Sequence, residues 1–139
     1  MSFNDFVAWV LRSPFYGLMG SGTLLITLTG RKSGKPVTLP VNFQPLDDAL
    51  WITSLRSRLW WRNLQACPDV SLWLAGRQRA GRGEVVLDRQ AVADRLARLF
   101  VLDPRLAAGL HVQMPGGVPD PVDLQRAAEE RVLVKIKLN

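Results

Sequence analysis

The sequence is poor in the residues that most enzymes use for acid, base or nucleophilic chemistry. Its 139 residues include one histidine, His111, one cysteine, Cys67, and one tyrosine, Tyr16. A single cysteine excludes an intrachain disulfide and a multi-cysteine metal site, and no ligand spacing typical of zinc is present. The Gly-x-Ser-x-Gly nucleophile elbow is also missing. The sequence therefore assigns no residue a catalytic role and predicts no metal.

Long apolar runs are also missing. None reaches the roughly 18 residues that a membrane span needs, and residues 1–5 lack the basic start of a secretory signal. We therefore expect a cytoplasmic protein. The length and the hydrophobic fraction of 47% fit a single domain over residues 1–139 with its own core. An excess of 18 Lys and Arg over 12 Asp and Glu favours anionic partners: nucleic acid, an acidic membrane surface or a small polyanion.

The first twenty residues are predicted to form a helical extension. Apolar residues recur at helical spacing from Phe3 to Leu11, and Ser13-Pro14 ends the pattern. We expect this amphipathic helix to pack over a sheet. Weak peripheral contact with a membrane is the alternative, since Trp9 and Arg12 flank the apolar face.

After residue 22 the apolar period changes to two. Alternation predicts six mainly antiparallel strands, at 23–29, 37–44, 50–55, 70–74, 82–87 and 132–138. Helices are predicted at 58–66, capped by Ser57, at 121–130, and in a segment capped by Asp88. Residues 76–81 are interpreted as a basic turn, and 103–122 as a Pro- and Gly-rich loop that could form a lid. Pro40 marks an edge or a bulge. The fold class is α+β: a small barrel or sandwich with helical covers.

A basic turn joins the first two predicted strands. It contains Gly30 and Gly34 together with three cations. A turn of this composition can present backbone N–H groups and cationic side chains to an anion. It is not a P-loop, because only three residues separate the glycines, and it does not precede a helix as a dinucleotide fingerprint does. A solvated surface loop is the alternative.

A second cationic cluster follows the third strand. Arg56 and Arg58 flank the expected cap Ser57, and helix N-termini favour anions. Trp60 and Trp61 are adjacent, so they cannot both face the same side of a helix. We expect one to enter the core and the other to wall a pocket; the alternative is that both are packing residues.

Two segments carry a family resemblance. The run 24–36, followed by Pro40, resembles the opening hairpin of the deazaflavin-dependent nitroreductase family. Residues 60–68 resemble that family's Trp-Tyr-x-Asn-Leu-x-Ala-x-Pro segment, with Trp61 in the place of the tyrosine. Strand order and spacing also match over residues 20–87. The resemblance implies a six-stranded antiparallel split β-barrel, FMN-binding-like, with peripheral helices. It also implies a homodimer, because such barrels commonly bind cofactor at a dimer interface.

The resemblance further implies a cofactor, the 8-hydroxy-5-deazaflavin coenzyme F-420, which carries a phosphodiester and an oligoglutamate tail. By position, the basic turn would hold the phosphate or the tail, the segment after the third strand would line the groove, and the next helix would support the site. The implied cofactor-binding residues are Arg31, Lys32, Ser33, Gly34, Lys35, Pro40, Ser54, Arg56, Arg58, Trp61 and Asn63. The family's usual Ser-Lys-Gly-Gly stretch is replaced here by residues 54–58.

The activity that the resemblance implies is hydride transfer from reduced deazaflavin to a small planar acceptor, such as a quinone, a nitroaromatic or an enone. The first alternative is an FMN-binding reductase of the same barrel superfamily. The second is a non-catalytic module that binds a lipid, haem or nucleic acid. Nucleic acid is disfavoured because the sequence has no helix-turn-helix signature and no regular aromatic stacking platform.

Overall fold

A computed structural model describes residues 22–139. The helical extension predicted over residues 1–20 lies outside the described residues. No helix in the described part of the chain is long and apolar enough to cross a membrane.

Residues 22–139 form one seven-stranded antiparallel sheet. The strands are β1 (Thr23–Thr29), β2 (Pro36–Asn42), β3 (Gln44–Leu46), β4 (Ala49–Leu55), β5 (Asp69–Leu74), β6 (Arg77–Val86) and β7 (Arg131–Leu138), in the spatial order β2-β1-β5-β6-β7-β4-β3. The two edge strands, β2 and β3, are joined through Phe43 alone. In addition, β2 contacts β4 across the sheet. The sheet therefore curls until its edges approach, which makes a split barrel.

Helices lie on both sides of this sheet: the short first helix packs with the inner core, and the others pack against the outer face. They are α1 (Arg62–Ala66), α2 (Arg89–Leu102), α3 (Pro104–Gly109) and α4 (Pro121–Glu130), with a 3-10 turn at Pro115–Gly117. Aspartates cap the two longest. Asp88 accepts a hydrogen bond from the backbone N–H of Ala91, and Asp120 from that of Asp123. These caps satisfy backbone donors that the first helical turn leaves unpaired. The predicted Asp88 cap is confirmed.

The alternation of side chains along β4 and β7 divides the apolar residues into two cores. Ile52, Val134 and Ile136 face the inside of the barrel, together with β1 and β5. Trp51 and Leu133 face outward and are buried under α2 and α4. Each of these strands is therefore covered on both faces, which fixes its register.

The predicted architecture holds, with four corrections in detail. The strand count is seven rather than six, because β3 separates from β2 at Phe43 and pairs with β4. The segment 76–81 is not a turn. Instead β6 begins at Arg77, and the turn consists of Ala75 and Gly76, which both have positive φ. Ladder hydrogen bonds with β5 hold this stretch in a strand despite its exposed, basic composition.

The helical segment after β4 also differs from expectation. Helix α1 begins at Arg62 rather than Arg58, and no side chain caps it. Ser57 is therefore not its cap. Residues 103–122 are not a plain loop, since they contain α3, whose cap is Asp103, and the 3-10 turn. Pro40 does lie on an edge strand, as predicted, because β2 is at the end of the sheet.

A carboxylate ties the β3–β4 hairpin to α2. The loop consists of Asp47 and Asp48, both with positive φ, as in a two-residue type I′ hairpin. Asp47 accepts hydrogen bonds of 2.6 Å from Arg98 and from Arg95. The hydrogen bond from Arg98, followed by that from Arg95, lowers the pKa of Asp47 below its ordinary value.

Candidate functional site

A groove of about 960 Å³ runs along the open side of the barrel. Its walls come from β2, β4, α3 and the segment between β4 and α1. The lining includes the side chains Gln44, Trp51, Thr53, Ser54, Arg58, Trp60, Asp103, Arg105, Leu106 and Arg131. A concave site of this size, with aromatic walls and a few polar groups, is typical of a small-molecule site.

The two ends of this groove differ in charge. Along β4, Trp51 and Leu55 are separated by roughly 13 Å at about 3.3 Å per residue. Three side chains lie at the Leu55 end of the groove: Arg131, which pairs with Leu55, and Arg58 and Trp60, which follow Leu55 in the chain. We call these three side chains the cationic end. At the other end of β4, Trp51 pairs with Gln44. Gln44 and Asp103 line this end of the groove, which we call the amide end.

The cationic end has charge available for an anion. Neither Arg58 nor Arg131 forms a salt bridge within residues 22–139. Arg58 is exposed and Arg131 is half-buried. Two guanidinium groups without carboxylate partners, on the wall of one groove, favour a phosphate or carboxylate ligand.

The adjacent tryptophans take the two roles that were predicted for them. Trp60 lines the groove, and its indole N–H donates to the Ser54 hydroxyl at 3.0 Å. Trp61 is 5% exposed and lies in the inner core, where its N–H donates to the Leu55 carbonyl at 3.1 Å. Trp61 therefore supports the groove wall from behind, and Trp60 is the tryptophan that a ligand can reach.

Several backbone N–H groups of the basic turn already have partners. The N–H of Gly30 donates to the Lys35 carbonyl, and that of Gly34 to the Gly30 carbonyl. The N–H of Lys35 donates to the Ser33 hydroxyl at 3.1 Å. Gly34 has φ +69°, which the turn requires and which glycine tolerates. These N–H groups are therefore not free for an anion, whereas the cationic side chains of the turn are exposed.

Asn63 places this turn beside the groove. Its side-chain carbonyl accepts from the N–H of Arg31 at 2.9 Å, and its amide nitrogen donates to the Trp60 carbonyl at 3.0 Å. The guanidinium of Arg31 donates to the Leu59 carbonyl at 3.3 Å. Leu59 lies between Arg58 and Trp60 in the chain, so the turn abuts the cationic end. Asn63 itself is 9% exposed and does not line the groove.

Arg56 does not line the groove either. Its guanidinium donates to the Ala128 carbonyl at 2.9 Å, near the C-terminus of α4, where a cation is favourable. Its backbone N–H donates to the Glu130 carbonyl. Burial, and then the charge of Arg89, lowers the pKa of Arg56. These contacts give Arg56 a structural role in attaching α4 to β4.

The structure therefore distributes the residues implied by the resemblance over three places. Pro40, Ser54 and Arg58 line the groove. The residues Arg31, Lys32, Ser33, Gly34 and Lys35 form the adjoining turn, which Asn63 anchors. Trp61 and Arg56 lie behind the wall. The roles of these residues in cofactor binding remain predictions.

Sequence reasoning missed Gln44, Thr53, Asp103 and Arg131 as groove residues. Arg131 reaches the cationic end only through the pairing of β7 with β4, and nothing in its local sequence indicates this. A signal did exist for Asp103: Asp before Pro104 is a typical start of a helix, which argues against a plain loop. No group of three or more His, Cys, Asp or Glu residues in the described part of the chain could hold a metal.

A comparison with protein families decides the assignment. The model of the F420H(2)-dependent quinone reductase family matches residues 14–113. The chain belongs to this family. The matched residues include the whole lining of the groove except Arg131. It confirms the predicted kinship with deazaflavin-dependent reductases. No curated protein matches the sequence.

Solved structures of similar shape share the fold. A conserved hypothetical protein of Mycobacterium tuberculosis superposes with a TM-score of 0.57 at 15% identity, covering 100% of this chain and 81% of that one. An FAD-binding protein of Mesorhizobium loti superposes with a TM-score of 0.56 at 15% identity, covering 100% and 91%. A chain described as a domain-swapped dimer gives 0.54 at 16% identity, covering 99% and 100%. They confirm the split-barrel fold.

Proposed function

We propose that this protein is an oxidoreductase that transfers hydride from reduced coenzyme F-420 to a small planar acceptor, such as a quinone, a nitroaromatic or an enone. The observation that carries the proposal is the family match over residues 14–113, which include the groove lining except Arg131, together with two arginines without salt-bridge partners among residues 22–139 at one end of the groove. Membership of the family suggests which cofactor and which class of acceptor bind, and the groove is the site where we place both.

The residues present fit this cofactor. Its phosphodiester and glutamate tail are anionic, and the cationic end offers Arg58 and Arg131. Lys32 and Lys35 of the adjoining turn are exposed, and they extend the positive surface along which a polyanionic tail can lie. The indole of Trp60 supplies a flat apolar wall for a ring system.

The bound deazaflavin would supply the hydride, so the protein needs no nucleophile or metal of its own. The chain's residues bind and orient: the arginines hold the anionic end, and the groove walls place the ring beside the acceptor. Protonation of the reduced acceptor is assigned to water. This division of labour accounts for a sequence with a single histidine, which lies outside the groove lining.

Anaerobic titration of the purified protein with oxidised F-420 and, separately, with FMN tests the proposal. We expect saturable binding of F-420 and a weakening of about tenfold in Arg58→Ala or Arg131→Ala, since each removes a charge-assisted contact. Arg77→Ala, on the exposed start of β6, is the matched control and should not change the affinity. Absence of saturable binding to either cofactor would refute the redox function.

FMN is the second candidate cofactor, because a flavin-binding protein shares the fold. A protein that is yellow as purified, with tighter binding of FMN than of F-420, would support it. The class of non-catalytic binding modules would be supported by a salt-dependent shift with arbitrary DNA in a protein that binds neither cofactor.

We also propose a cytoplasmic homodimer. The similar chain described as a domain-swapped dimer supports the assembly. Sedimentation velocity would test it, and a single monomeric species at micromolar concentration would contradict it. Liposome flotation of the full chain tests the alternative of weak peripheral membrane contact.

A further inference from the structure

We infer that the amide end of the groove recognises a carbonyl oxygen of a neutral, planar acceptor, and that the Gln44 side chain is the hydrogen-bond donor. This inference rests on the proposed function, because it assigns the acceptor to the end of the groove opposite the cofactor's anionic groups. It goes further by naming the residue that selects the acceptor and the chemical group that is selected.

The orientation of Gln44 is the first observation. Its side-chain nitrogen donates to an oxygen of Asp103 at 2.8 Å. A carboxylate only accepts hydrogen bonds, so the nitrogen of the amide must be the atom that faces it. The second N–H of Gln44 has no partner among residues 22–139. An amide with one hydrogen bound to a carboxylate and one unpaired in a groove is a preoriented donor.

The Asp103 carboxylate is itself held in place. Its other oxygen accepts from the backbone N–H of Arg105 at 3.1 Å, as the cap of α3. The guanidinium of Arg105 lies 3.6 Å from the same oxygen, but its side chain is 96% exposed. Asp103 is thus fixed by a helix start, and Gln44 is fixed by Asp103. Asp103 acts as a positioning residue and has no direct contact with the acceptor in this scheme.

The neutral indole donor at this end already has a partner. The indole N–H of Trp51 donates to the Leu46 carbonyl at 2.9 Å, and Arg95 stacks 4.4 Å from the centre of its ring. Leu106 and Leu110 add apolar surface from α3 and its end. These surroundings suit a flat, uncharged ring system whose carbonyl meets the Gln44 amide.

The two ends of the groove differ in the charge of the ligand that they favour. At the amide end the charges of Asp103 and Arg105 offset each other, whereas Arg58 and Arg131 have no carboxylate partner within residues 22–139 and attract anions to the cationic end. A ligand with a neutral quinone-like head is therefore directed to the amide end, and the cofactor's phosphate and carboxylates to the cationic end. The groove therefore offers unpaired positive charge at one end and balanced charge at the other.

Equilibrium dialysis tests this inference without any turnover. The protein, saturated with oxidised F-420, is dialysed against 2,3-dimethyl-1,4-naphthoquinone, whose methyl groups block addition of the Cys67 thiol. The comparison compound is 2,3-dimethylnaphthalene, which has the same ring system without carbonyls. We expect Gln44→Leu to weaken the affinity for the quinone about tenfold, because one hydrogen bond is lost. The affinities for the hydrocarbon and for F-420 should not change.

Three further variants make the test specific. Gln78→Leu, which changes the same residue type on exposed β6, should have no effect. Thr53→Val removes the competing hydroxyl of a groove residue, and the protein should keep its preference for the quinone over the hydrocarbon. Asp103→Ser retains a helix cap but frees the Gln44 amide, so quinone affinity should fall between that of the wild type and that of Gln44→Leu. A Thr53→Val protein that loses the preference for the quinone, while Gln44→Leu keeps it, would overturn the inference.

The outcomes separate this inference from the proposed function. A wild-type protein that binds no F-420 refutes the proposed function, whatever the Gln44 variant does. A wild-type protein that binds F-420 but shows equal affinity for quinone and hydrocarbon refutes the assignment of Gln44 alone. Thermal melting of each variant distinguishes a changed groove from a misfolded protein.

Discussion

Replacing Asn63 with alanine should destabilise the protein and detach the basic turn. The Asn63 side chain accepts from the Arg31 N–H at 2.9 Å and donates to the Trp60 carbonyl at 3.0 Å. It is 9% exposed, so water cannot readily replace these partners. At about 1 kcal/mol for each hydrogen bond, with an added penalty for unpaired groups, we expect a loss of about 2–3 kcal/mol in the free energy of unfolding.

Urea denaturation followed by far-ultraviolet circular dichroism measures this loss. Gln65→Ala is the matched control, since Gln65 is exposed on the same short helix, and its effect should be below about 0.5 kcal/mol. Asn63→Asp keeps an acceptor for Arg31 but loses the donor, so its stability should lie between those of the wild type and Asn63→Ala. An alanine variant as stable as the control, or an aspartate variant no better than alanine, would refute the reasoning.

Two other predictions concern stability. The depressed pKa of Asp47, caused first by Arg98 and then by Arg95, contributes stability above the ordinary carboxyl pKa. This contribution is lost as pH falls through the lowered value, so between about pH 5 and pH 2 the wild type should lose more stability than Asp47→Asn; parallel curves in acid urea titrations would contradict this. On β6, an added Cβ at Gly81 would meet a backbone carbonyl of β7 at 2.8 Å, whereas one at Gly83 would meet movable side-chain ends at 3.1 Å or more. Gly81→Ala should therefore lower the free energy of unfolding by about 3 kcal/mol, and Gly83→Ala by about 1 kcal/mol. A lower urea midpoint for Gly83→Ala than for Gly81→Ala would show the packing argument to be wrong.

The strands with clear alternation were predictable from sequence because the pattern is local. β1, β4, β5 and β7 each place one set of alternate apolar residues in the inner core, and their predicted bounds agree with the structure to within one residue. The Asp88 cap is likewise a local signal. β6 was predicted too short because its first residues are arginines and small residues, whose strand conformation is imposed by pairing with β5.

The groove illustrates the opposite case. Arg58 was identified from a local cluster of cations, but Arg131 joins it through a strand pairing formed between distant parts of the chain. Gln44 and Asp103 are separated by 59 residues, yet their side chains form one hydrogen bond. Such pairs have no periodicity and no motif, so the sequence of either segment contains no information about the other.

By itself, the sequence determined that this chain folds as a mainly antiparallel α+β domain, that a basic turn joins its first two strands, and that acid, base and metal chemistry is scarce. It also sufficed to identify the F-420-linked kinship. Only the tertiary structure decided which tryptophan faces the groove, that Arg56 serves α4 instead of the groove, and that the groove has a cationic end and an amide end. The physical reason is that alternation and capping depend on neighbouring residues, whereas the position of a side chain in a groove depends on the curl and register of the whole sheet.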